Sequence, residues 1–320
     1  MNAAIVESFG KVPRYGWFAD PVAEAGEVLV AVEAAGLHPV VKALANGTHY
    51  GNTGVLPFVP GVDGVGRLED GTRVYFGMSR PPFGTFADRG VTNSALSVQL
   101  PAGLNSVTAA GIANPGMSSW VALQYRAQFR AGESVLILGA TGAAGQLAVQ
   151  IAKRLGARRV VAAGRNPQAL GGLKELGADA VIELEQSPEA LVAAFRSEIV
   201  EHGVDVVLDY LWGSPAECCL AAIAQKGLSH AASRIRYVEI GQSAGATITL
   251  AGATLRSSGL ELLGSGFGSA SMKEIFAALA EFFEQAVKAP FAVKVQAVPL
   301  RDVEALWNAP ERGARLVFQP

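Results

Sequence analysis

The chain has few charged residues and almost no cysteine. Charged side chains make up 17% of its 320 residues, and the formal net charge is −2. Because there is no excess of lysine and arginine to neutralise phosphates, the composition excludes a dedicated nucleic-acid-binding protein. The two cysteines, Cys218 and Cys219, are adjacent, which excludes a disulfide scaffold and a cysteine-ligated zinc site. This cysteine usage is typical of a reducing compartment, so we expect a cytoplasmic protein.

The opening residues have no leader-like pattern, and the sequence has no long unbroken apolar run. The start, MNAAIVESFG, has no basic segment followed by an apolar stretch, so we expect no signal peptide. The most apolar long window, 135–152, is interrupted by polar residues and three glycines, which predicts no transmembrane helix and no membrane association. In contrast, 50% of the residues are hydrophobic and 37 are glycine. The chain therefore has enough apolar residues for a large core, and its glycines predict tight turns and close backbone approach.

The spacing of apolar residues changes near residue 115. Before it, short apolar runs such as 28–32 and 72–76 lie between turn residues and predict a mainly antiparallel or barrel-like domain. After a linker-like Asn114-Pro115-Gly116, a helix is predicted over 118–128. Apolar strands then alternate with amphipathic helices, which predicts an α/β fold with a doubly wound parallel sheet. The predicted strands of this sheet are 135–138, 160–163, 180–182, 204–208, 237–240 and 260–263.

The last residues of the chain have short, strand-like apolar runs like those of its first domain. After a predicted helix at 273–287, strand-like pieces follow at 292–298 and 315–318. We infer that the chain returns to its first domain. The expected organisation is a discontinuous domain of residues 1–117 and 288–320, and a parallel-sheet domain of residues 118–287.

The strongest local signal is a glycine-rich turn between a predicted strand and a predicted helix. The segment Leu138–Gly145 reads LGATGAAG, and it matches the dinucleotide fingerprint G-x-G-x-x-G with Ala140 in place of the first glycine. Gly142 lets the backbone approach a pyrophosphate, and the helix N-terminus offers free N–H groups to the anion. The alternative is a similar turn that binds no ligand. We predict dinucleotide contacts from Ala140, Thr141, Gly142, Ala143 and Ala144.

The end of the second strand indicates which dinucleotide is bound. An NAD site usually has an acidic residue about 20 residues beyond the fingerprint, to accept a hydrogen bond from the ribose 2′-hydroxyl. Here Arg165 occupies that place, between Gly164 and Asn166. A guanidinium grips a 2′-phosphate with paired hydrogen bonds, and Gly164 leaves room for it. These three residues predict NADPH as cofactor, unless Arg165 is simply a solvated residue at a strand end.

Residues at the ends of two later strands are further candidates. Asp209 ends the fourth strand of the predicted sheet, Gly241 ends the fifth, and Gln242 follows. Carboxyl ends of parallel strands face the ligand crevice in this architecture. We therefore predict cofactor contacts from Asp209, Gly241 and Gln242, with a purely structural role as the equal alternative for the first two.

With these residues in place, the chain resembles the medium-chain dehydrogenase/reductase superfamily, and most closely its zinc-independent quinone oxidoreductase branch. The resemblance runs through nearly the whole chain. The matching segments are 34–39 (AAGLHP), 56–66 (LPFVPGVDGVG), 84–88 (GTFAD), the fingerprint, 176–179 (LGAD) and 204–209 (VDVVLD). It implies a GroES-like β-barrel domain, a Rossmann domain and a homodimer.

The resemblance also implies that zinc is not used. Zinc-dependent relatives carry a cysteine where this chain has His38, and Gly-His-Glu where it has Gly61-Val62-Asp63. The loop of four cysteines that binds structural zinc in those relatives is missing. Since zinc needs three or four converging ligands, we expect no metal site.

Two candidate catalytic residues follow from the same comparison. Tyr50 matches the active-site tyrosine of relatives and is the first candidate proton donor, with a pocket-lining role as the alternative. His38 is placed to polarise an acceptor carbonyl, or else is a structural residue. Relatives often carry an acid where this chain has Val41, so that acid is lost.

The function implied is an NADPH-dependent reductase that passes a hydride to a quinone or another α,β-unsaturated carbonyl. One alternative is an enoyl-thioester reductase with Tyr50 as proton donor. The other is an NADPH-binding redox sensor with little turnover, which the lost acid at Val41 leaves open.

Overall fold

The structure is a computed structural model that describes residues 1–224, 233–310 and 314–320. In chain order, the strands of these ranges are β1 (Asn2–Ile5), β2 (Arg14–Trp17), β3 (Glu27–Gly36), β4 (Asp63–Arg67), β5 (Arg73–Gly77), β6 (Arg89–Asn93), β7 (Ser97–Gln99), β8 (Ser134–Leu138), β9 (Arg159–Gly164), β10 (Ala180–Glu183), β11 (Val206–Asp209), β12 (Arg234–Glu239), β13 (Gly259–Gly264), β14 (Val295–Pro299) and β15 (Arg315–Gln319). The helices are α1 (Pro39–Ala45), α2 (Ser106–Val121), α3 (Ala143–Arg154), α4 (Pro167–Leu173), α5 (Pro188–His202), α6 (Gly213–Ile223), α7 (Gly252–Arg256), α8 (Met272–Lys288) and α9 (Val303–Leu306). A membrane-spanning helix, judged by length and hydropathy, does not occur among the described helices.

The chain forms two compact units. The first contains Met1–Pro115 and Ile275–Pro320, and the second contains Gly116–Glu274. These bounds differ from the predicted domains mainly at α8, most of which lies in the first unit. The domain boundaries at 117 and 287 stay a prediction.

The second unit is built on a parallel sheet with the strand order β10-β9-β8-β11-β12-β13. Every neighbouring pair in it is parallel. This order places a topological switch point between β8 and β11, as in dinucleotide-binding folds. The central strand β8 is completely buried; Leu136, Ile137 and Leu138 are each 0% exposed, and burial of each such side chain contributes about 1.5–3 kcal/mol. The predicted doubly wound sheet is confirmed.

The first unit contains a mainly antiparallel sheet. Its strand order is β14-β15-β3-β4-β5-β7, and β6 also pairs with β3. The late strand β15 pairs antiparallel with β3, so the end of the chain completes a sheet begun near its start. Buried aromatic rings fill the space beside it, with Phe86 packed edge-on against Trp307 and Phe318. A second, mainly antiparallel sheet in its own unit agrees with the predicted fold class.

The predicted start of the helix at residue 118 is wrong. Helix α2 begins at Ser106 and runs through Pro115, followed by a π-helical turn at Ala122–Arg126. Glycine and proline in this stretch are typical of a linker. A helix can nevertheless contain such residues where it packs closely against a neighbour, because close packing favours small side chains. A Cβ on Gly111 would lie 2.4 Å from Cγ1 of Val295, so the helix packs closely against its neighbour at this position.

Candidate functional site

The glycine-rich turn joins β8 to α3 at the switch point of the parallel sheet. Gly139 has φ +86°, a conformation that favours glycine. The N–H groups of Gly139 and Ala140 both donate to the carbonyl of Ala163 on β9, at 3.0 and 2.9 Å. Gly142 is the N-cap residue, and α3 begins at Ala143. The first-turn N–H groups of α3 thus lie at the carboxyl edge of the sheet, the arrangement that holds anions at helix N-termini.

The two later glycines of the turn meet different surroundings. A Cβ on Gly145 would lie 2.3 Å from the carbonyl oxygen of Gly139, so only glycine lets the helix approach the turn this closely. A Cβ on Gly142 would have no neighbour nearer than 3.6 Å. The space beside Gly142 is therefore open, which fits close approach of a pyrophosphate to the backbone.

The residues at the end of β9 lie beside this turn. A Cβ on Gly164 would lie 2.5 Å from Cγ2 of Thr141, so glycine at this position leaves room for the threonine side chain. The next residue, Arg165, is exposed at the carboxyl edge of the sheet. Asn166 has a structural role, since its Oδ1 accepts hydrogen bonds from Gln168 and Ala169 and caps α4.

Asp209, which the sequence predicts either to contact the cofactor or to have a structural role, has a buried side chain. It is 0% exposed, and its Oδ2 accepts a 2.7 Å hydrogen bond from the hydroxyl of Tyr237. Its Oδ1 accepts from the backbone N–H groups of Leu211 and Trp212 at 2.8 and 3.0 Å. Burial raises the pKa of this carboxyl, and the three hydrogen bonds oppose that shift. Asp209 therefore holds the turn after β11 in place.

The turns after β11 and β12 interlock. The N–H groups of Ile240 and Gly241 donate to the backbone carbonyl of Asp209. The hydroxyl of Ser243 donates to the carbonyl of Tyr210 at 2.9 Å, and a Cβ on Gly241 would lie 3.1 Å from the same carbonyl oxygen. Glycine at position 241 is thus explained by this close approach.

A hydroxyl cluster near the switch point was not predicted. The hydroxyl of Tyr210 lies 3.4 Å from Oγ of Ser118 near the end of α2. Burial raises the pKa of Tyr210 to about 12. The phenol therefore stays protonated at neutral pH. No sequence signal identified this pair, because its members are 92 residues apart.

Beyond these turns, a pocket of about 350 Å³ opens at the carboxyl ends of β11, β12 and β13. Its lining residues are Trp212, Glu239, Gln242, Ala246, Leu262, Leu263 and Gly264. Gln242 was predicted from the sequence, whereas Trp212 and Glu239 were missed. Burial raises the pKa of Glu239, and the negative charge of Asp209 adds to the shift.

In the first unit, the candidate catalytic residue His38 is buried. Its side chain is 1% exposed and lies 3.3 Å, from Nε2 to Oδ1, from the buried Asp63. A Cβ on Gly36 would lie 2.5 Å from the imidazole, which is therefore packed against that glycine. The hydroxyl of Tyr75 donates to the other oxygen of Asp63 at 2.6 Å. These contacts favour the structural alternative for His38, and its role in polarising a carbonyl stays a prediction.

The same surroundings test the fit of a zinc ion. Tetrahedral zinc requires three or four nitrogen, sulfur or carboxylate ligands. Across 1–224, 233–310 and 314–320, no three His, Cys, Asp or Glu side chains form a group that can hold a metal. Beside His38 and Asp63, the next polar partner is the phenol of Tyr75. The described residues therefore do not fit the ion.

Tyr50 lies on an exposed loop of the first unit. Its side chain is 73% exposed and stacks on His49, with ring centroids 4.2 Å apart. Burial lowers the pKa of His49. Val41, at the position of the lost acid, is a fully buried residue of α1. The structure thus leaves the side chain of Tyr50 accessible.

The adjacent cysteines are packing residues of α6. Cys218 is 6% exposed and Cys219 is 0% exposed. Burial raises the pKa of both thiols. Because the thiolate is the reactive form, both residues are poor nucleophiles.

We therefore predict that neither thiol is alkylated readily in the native protein. With iodoacetamide at mildly alkaline pH, we expect labelling at least about tenfold slower than in urea-unfolded protein. Mass spectrometry of labelled peptides measures both rates. Rapid native labelling of either cysteine would show that α6 opens or that the thiol is activated.

Comparison with known proteins agrees with this geometry. A protein-family profile described as "Zinc-binding dehydrogenase" matches residues 143–285. The probable NADPH-dependent quinone reductase tdiC of Emericella nidulans is 27% identical over 363 aligned residues that cover 100% of both chains. The trans-enoyl reductase pgmF of Aspergillus terreus is 28% identical over 59% of this chain and 58% of its own. The quinone oxidoreductase of Thermus thermophilus, solved also as its NADPH complex, has a TM-score of 0.81 at 28% identity, with 100% of both chains covered.

These similarities and the two sheets support the resemblance expected from the sequence. The chain is similar to members of the medium-chain dehydrogenase/reductase superfamily. Within that superfamily, its relatives include quinone reductases and quinone oxidoreductases. The match to the family profile begins at residue 143. It therefore includes neither His38 nor Val62, the positions where zinc-dependent relatives carry ligands.

Proposed function

We propose that this protein is an NADPH-dependent oxidoreductase that transfers a hydride to a quinone or another α,β-unsaturated carbonyl without zinc. The observation that carries the proposal is the turn Gly139–Gly145, which presents the N-terminus of α3 at the switch point of the parallel sheet. The relatives described as NADPH-dependent or solved with NADPH support the cofactor.

The chain's own residues fit NADPH at two places. The first-turn N–H groups at Ala143 and Ala144 would hold the pyrophosphate, because no protein atom lies nearer than 3.6 Å to a Cβ built on Gly142. Arg165, exposed beside Gly164, would pair with the 2′-phosphate. When bound, NADPH supplies the hydride from its nicotinamide ring. The protein's part is to orient the dinucleotide and to supply a proton where the acceptor needs one.

The role of Arg165 is tested by its replacement. Arg165→Ala should weaken NADPH binding by roughly tenfold to a hundredfold, because one charge-assisted contact to phosphate contributes about 1.5–3 kcal/mol. NADH lacks the 2′-phosphate, so its affinity should barely change. Isothermal titration of both cofactors measures the difference, with Arg196→Ala, on α5, as a matched control. Equal losses for NADPH and NADH would assign Arg165 another role and remove the argument for NADPH over NADH.

A second candidate activity is reduction of an enoyl thioester. The similarity to trans-enoyl reductase pgmF favours it, as does the exposed side chain of Tyr50, whose hydroxyl is accessible for protonating a carbon skeleton.

A third candidate is an NADPH-binding redox sensor with little turnover. It is favoured by Val41, which is apolar and buried at the position of the lost acid. Rates of NADPH oxidation with quinones, enones and enoyl thioesters separate the three.

The remaining expectations are part of the same proposal. We propose a homodimer located in the cytoplasm, acting on a small-molecule quinone or enone, with no nucleic-acid or membrane partner. Sedimentation equilibrium of the purified chain tests the dimer. A monomer at micromolar concentration would contradict it.

A further inference from the structure

Trp212 has a backbone conformation that residues other than glycine rarely adopt. Its φ is +54° and its ψ is −158°, just after the carboxyl end of β11. Residues with a Cβ avoid this region, which glycine occupies readily, and such strain persists only where surrounding contacts impose it. An observed outlier of this kind points to a role for the side chain it positions.

The contacts that impose this conformation come from a buried carboxylate. Oδ1 of Asp209 accepts from the N–H of Trp212 at 3.0 Å and from that of Leu211 at 2.8 Å. The other oxygen of Asp209 is fixed by the hydroxyl of Tyr237 at 2.7 Å. The carbonyl of Leu211 accepts from Ala244 at 2.7 Å, which ties the turn to its neighbour. The strained turn is therefore held by hydrogen bonds on both sides.

The result of this strain is the placement of an indole ring. The ring packs edge-on against Tyr237, with centroids 6.4 Å apart, and lines the 350 Å³ pocket at the ends of β11, β12 and β13. Leucine and alanine side chains provide most of the remaining apolar lining. The polar side chains in the lining are Glu239, a hydrogen-bond acceptor, and Gln242, which both donates and accepts.

The chemistry of this pocket fits a planar ring that carries a carboxamide. An aromatic wall suits the ring, Glu239 suits the amide N–H groups, and Gln242 suits the amide oxygen. We propose that Trp212 contacts the nicotinamide ring of the cofactor, and that Asp209 is the positioning residue that holds Trp212 there. This inference rests on the proposed NADPH-dependent function. According to this inference, the strained turn positions Trp212 to bind the cofactor.

The test separates the two ends of the dinucleotide. Calorimetry would compare NADPH with 2′-phospho-ADP-ribose, which retains the adenosine phosphates and lacks nicotinamide. Trp212→Ala should weaken NADPH roughly tenfold and leave 2′-phospho-ADP-ribose unchanged, since only the first loses an aromatic contact. Trp212→Phe, which keeps a ring, should recover most of the loss. Trp17→Ala, at a 74% exposed tryptophan of the first unit, is the matched control and should change neither.

Stability provides a second readout that is independent of any ligand. If the backbone at position 212 is strained, Trp212→Gly should unfold at a higher urea concentration than Trp212→Ala, the reverse of the usual order. A lower midpoint for the glycine variant would overturn the strain on which the inference depends.

The outcomes distinguish this inference from the proposed function. Equal loss of both ligands in Trp212→Ala, or loss of neither, overturns the contact with nicotinamide while NADPH binding by the wild type stands. A wild-type chain that binds neither ligand overturns the proposed function, and this inference with it.

Discussion

Replacing Gly142 by alanine is expected to weaken NADPH binding by roughly a hundredfold while the fold stays intact. The backbone at Gly142 has φ −76° and ψ 165°, which alanine adopts without strain. A Cβ there would touch no protein atom within 3.6 Å, so it would extend into the open space where we place the pyrophosphate. Loss of about two charge-assisted N–H contacts is worth about 3 kcal/mol, which is the source of the hundredfold estimate.

Gly145→Ala is the matched comparison, because it should act on the fold first. Its Cβ would lie 2.3 Å from the carbonyl oxygen of Gly139 and 2.5 Å from Cα of Ala140, and neither backbone atom can move aside cheaply. We expect a loss of about 1–3 kcal/mol in the free energy of unfolding. For Gly142→Ala the loss should stay below about 1 kcal/mol, since only the N-cap residue changes.

Urea unfolding followed by circular dichroism, together with NADPH titration, measures both effects. If Gly142→Ala binds NADPH as tightly as the wild type, the pyrophosphate does not lie against this turn. If it unfolds as easily as Gly145→Ala, the expectation of an intact fold is wrong.

Tyr50→Phe is expected to slow reduction of enones and enoyl thioesters by roughly 10²-fold or more. A positioned proton donor contributes this much when the acceptor's carbon skeleton must be protonated after hydride transfer. Tyr50 is 73% exposed, so its side chain is accessible to an acceptor. Quinones should be affected much less, because their reduced oxygens take protons from water. NADPH affinity should be nearly unchanged, because the ring is retained.

Steady-state rates with each acceptor class test this pattern. Equal slowing of every acceptor would mean that the Tyr50 hydroxyl orients the site and does not supply the proton. No slowing with any acceptor would make Tyr50 a pocket-lining residue, with solvent as the proton source. Tyr15→Phe, which alters another tyrosine of the first unit, serves as the control and should leave all rates unchanged.

Much of the second unit was predictable because its signals are local. Completely buried parallel strands have unbroken apolar runs, so the strands near 135–138 and 160–163 were placed within one residue of β8 and β9. The turn before α3 was predictable for the same reason, since the required glycines are close in sequence. The first part of helix α2 was not predicted, because Gly111 and Pro115 usually indicate a turn. Whether a helix can contain them depends on its packing against residues distant in sequence.

The functional side chains were harder to predict because burial depends on residues distant in sequence. Asp209 ends a strand as expected, but whether its carboxylate faces a ligand or the interior is decided by Tyr237, 28 residues away. For His38 the sequence leaves open a role at an acceptor carbonyl or a structural one, because its burial depends in part on Asp63, which is distant in sequence. Trp212 carried no sequence signal, since a positive φ at tryptophan is contrary to its local preference.

The central claim is hydride transfer from NADPH to an electron-poor acceptor, and stopped-flow NADPH oxidation tests it most directly. The wild-type chain would be mixed with NADPH and a panel of quinones, enones and enoyl thioesters, with absorbance followed at the nicotinamide band. We predict rapid, acceptor-dependent oxidation by quinones or enones, and slower oxidation when NADH replaces NADPH. Oxidation by enoyl thioesters alone would favour the second candidate activity. Tight NADPH binding without oxidation by any acceptor would contradict the proposed reductase and favour the sensor.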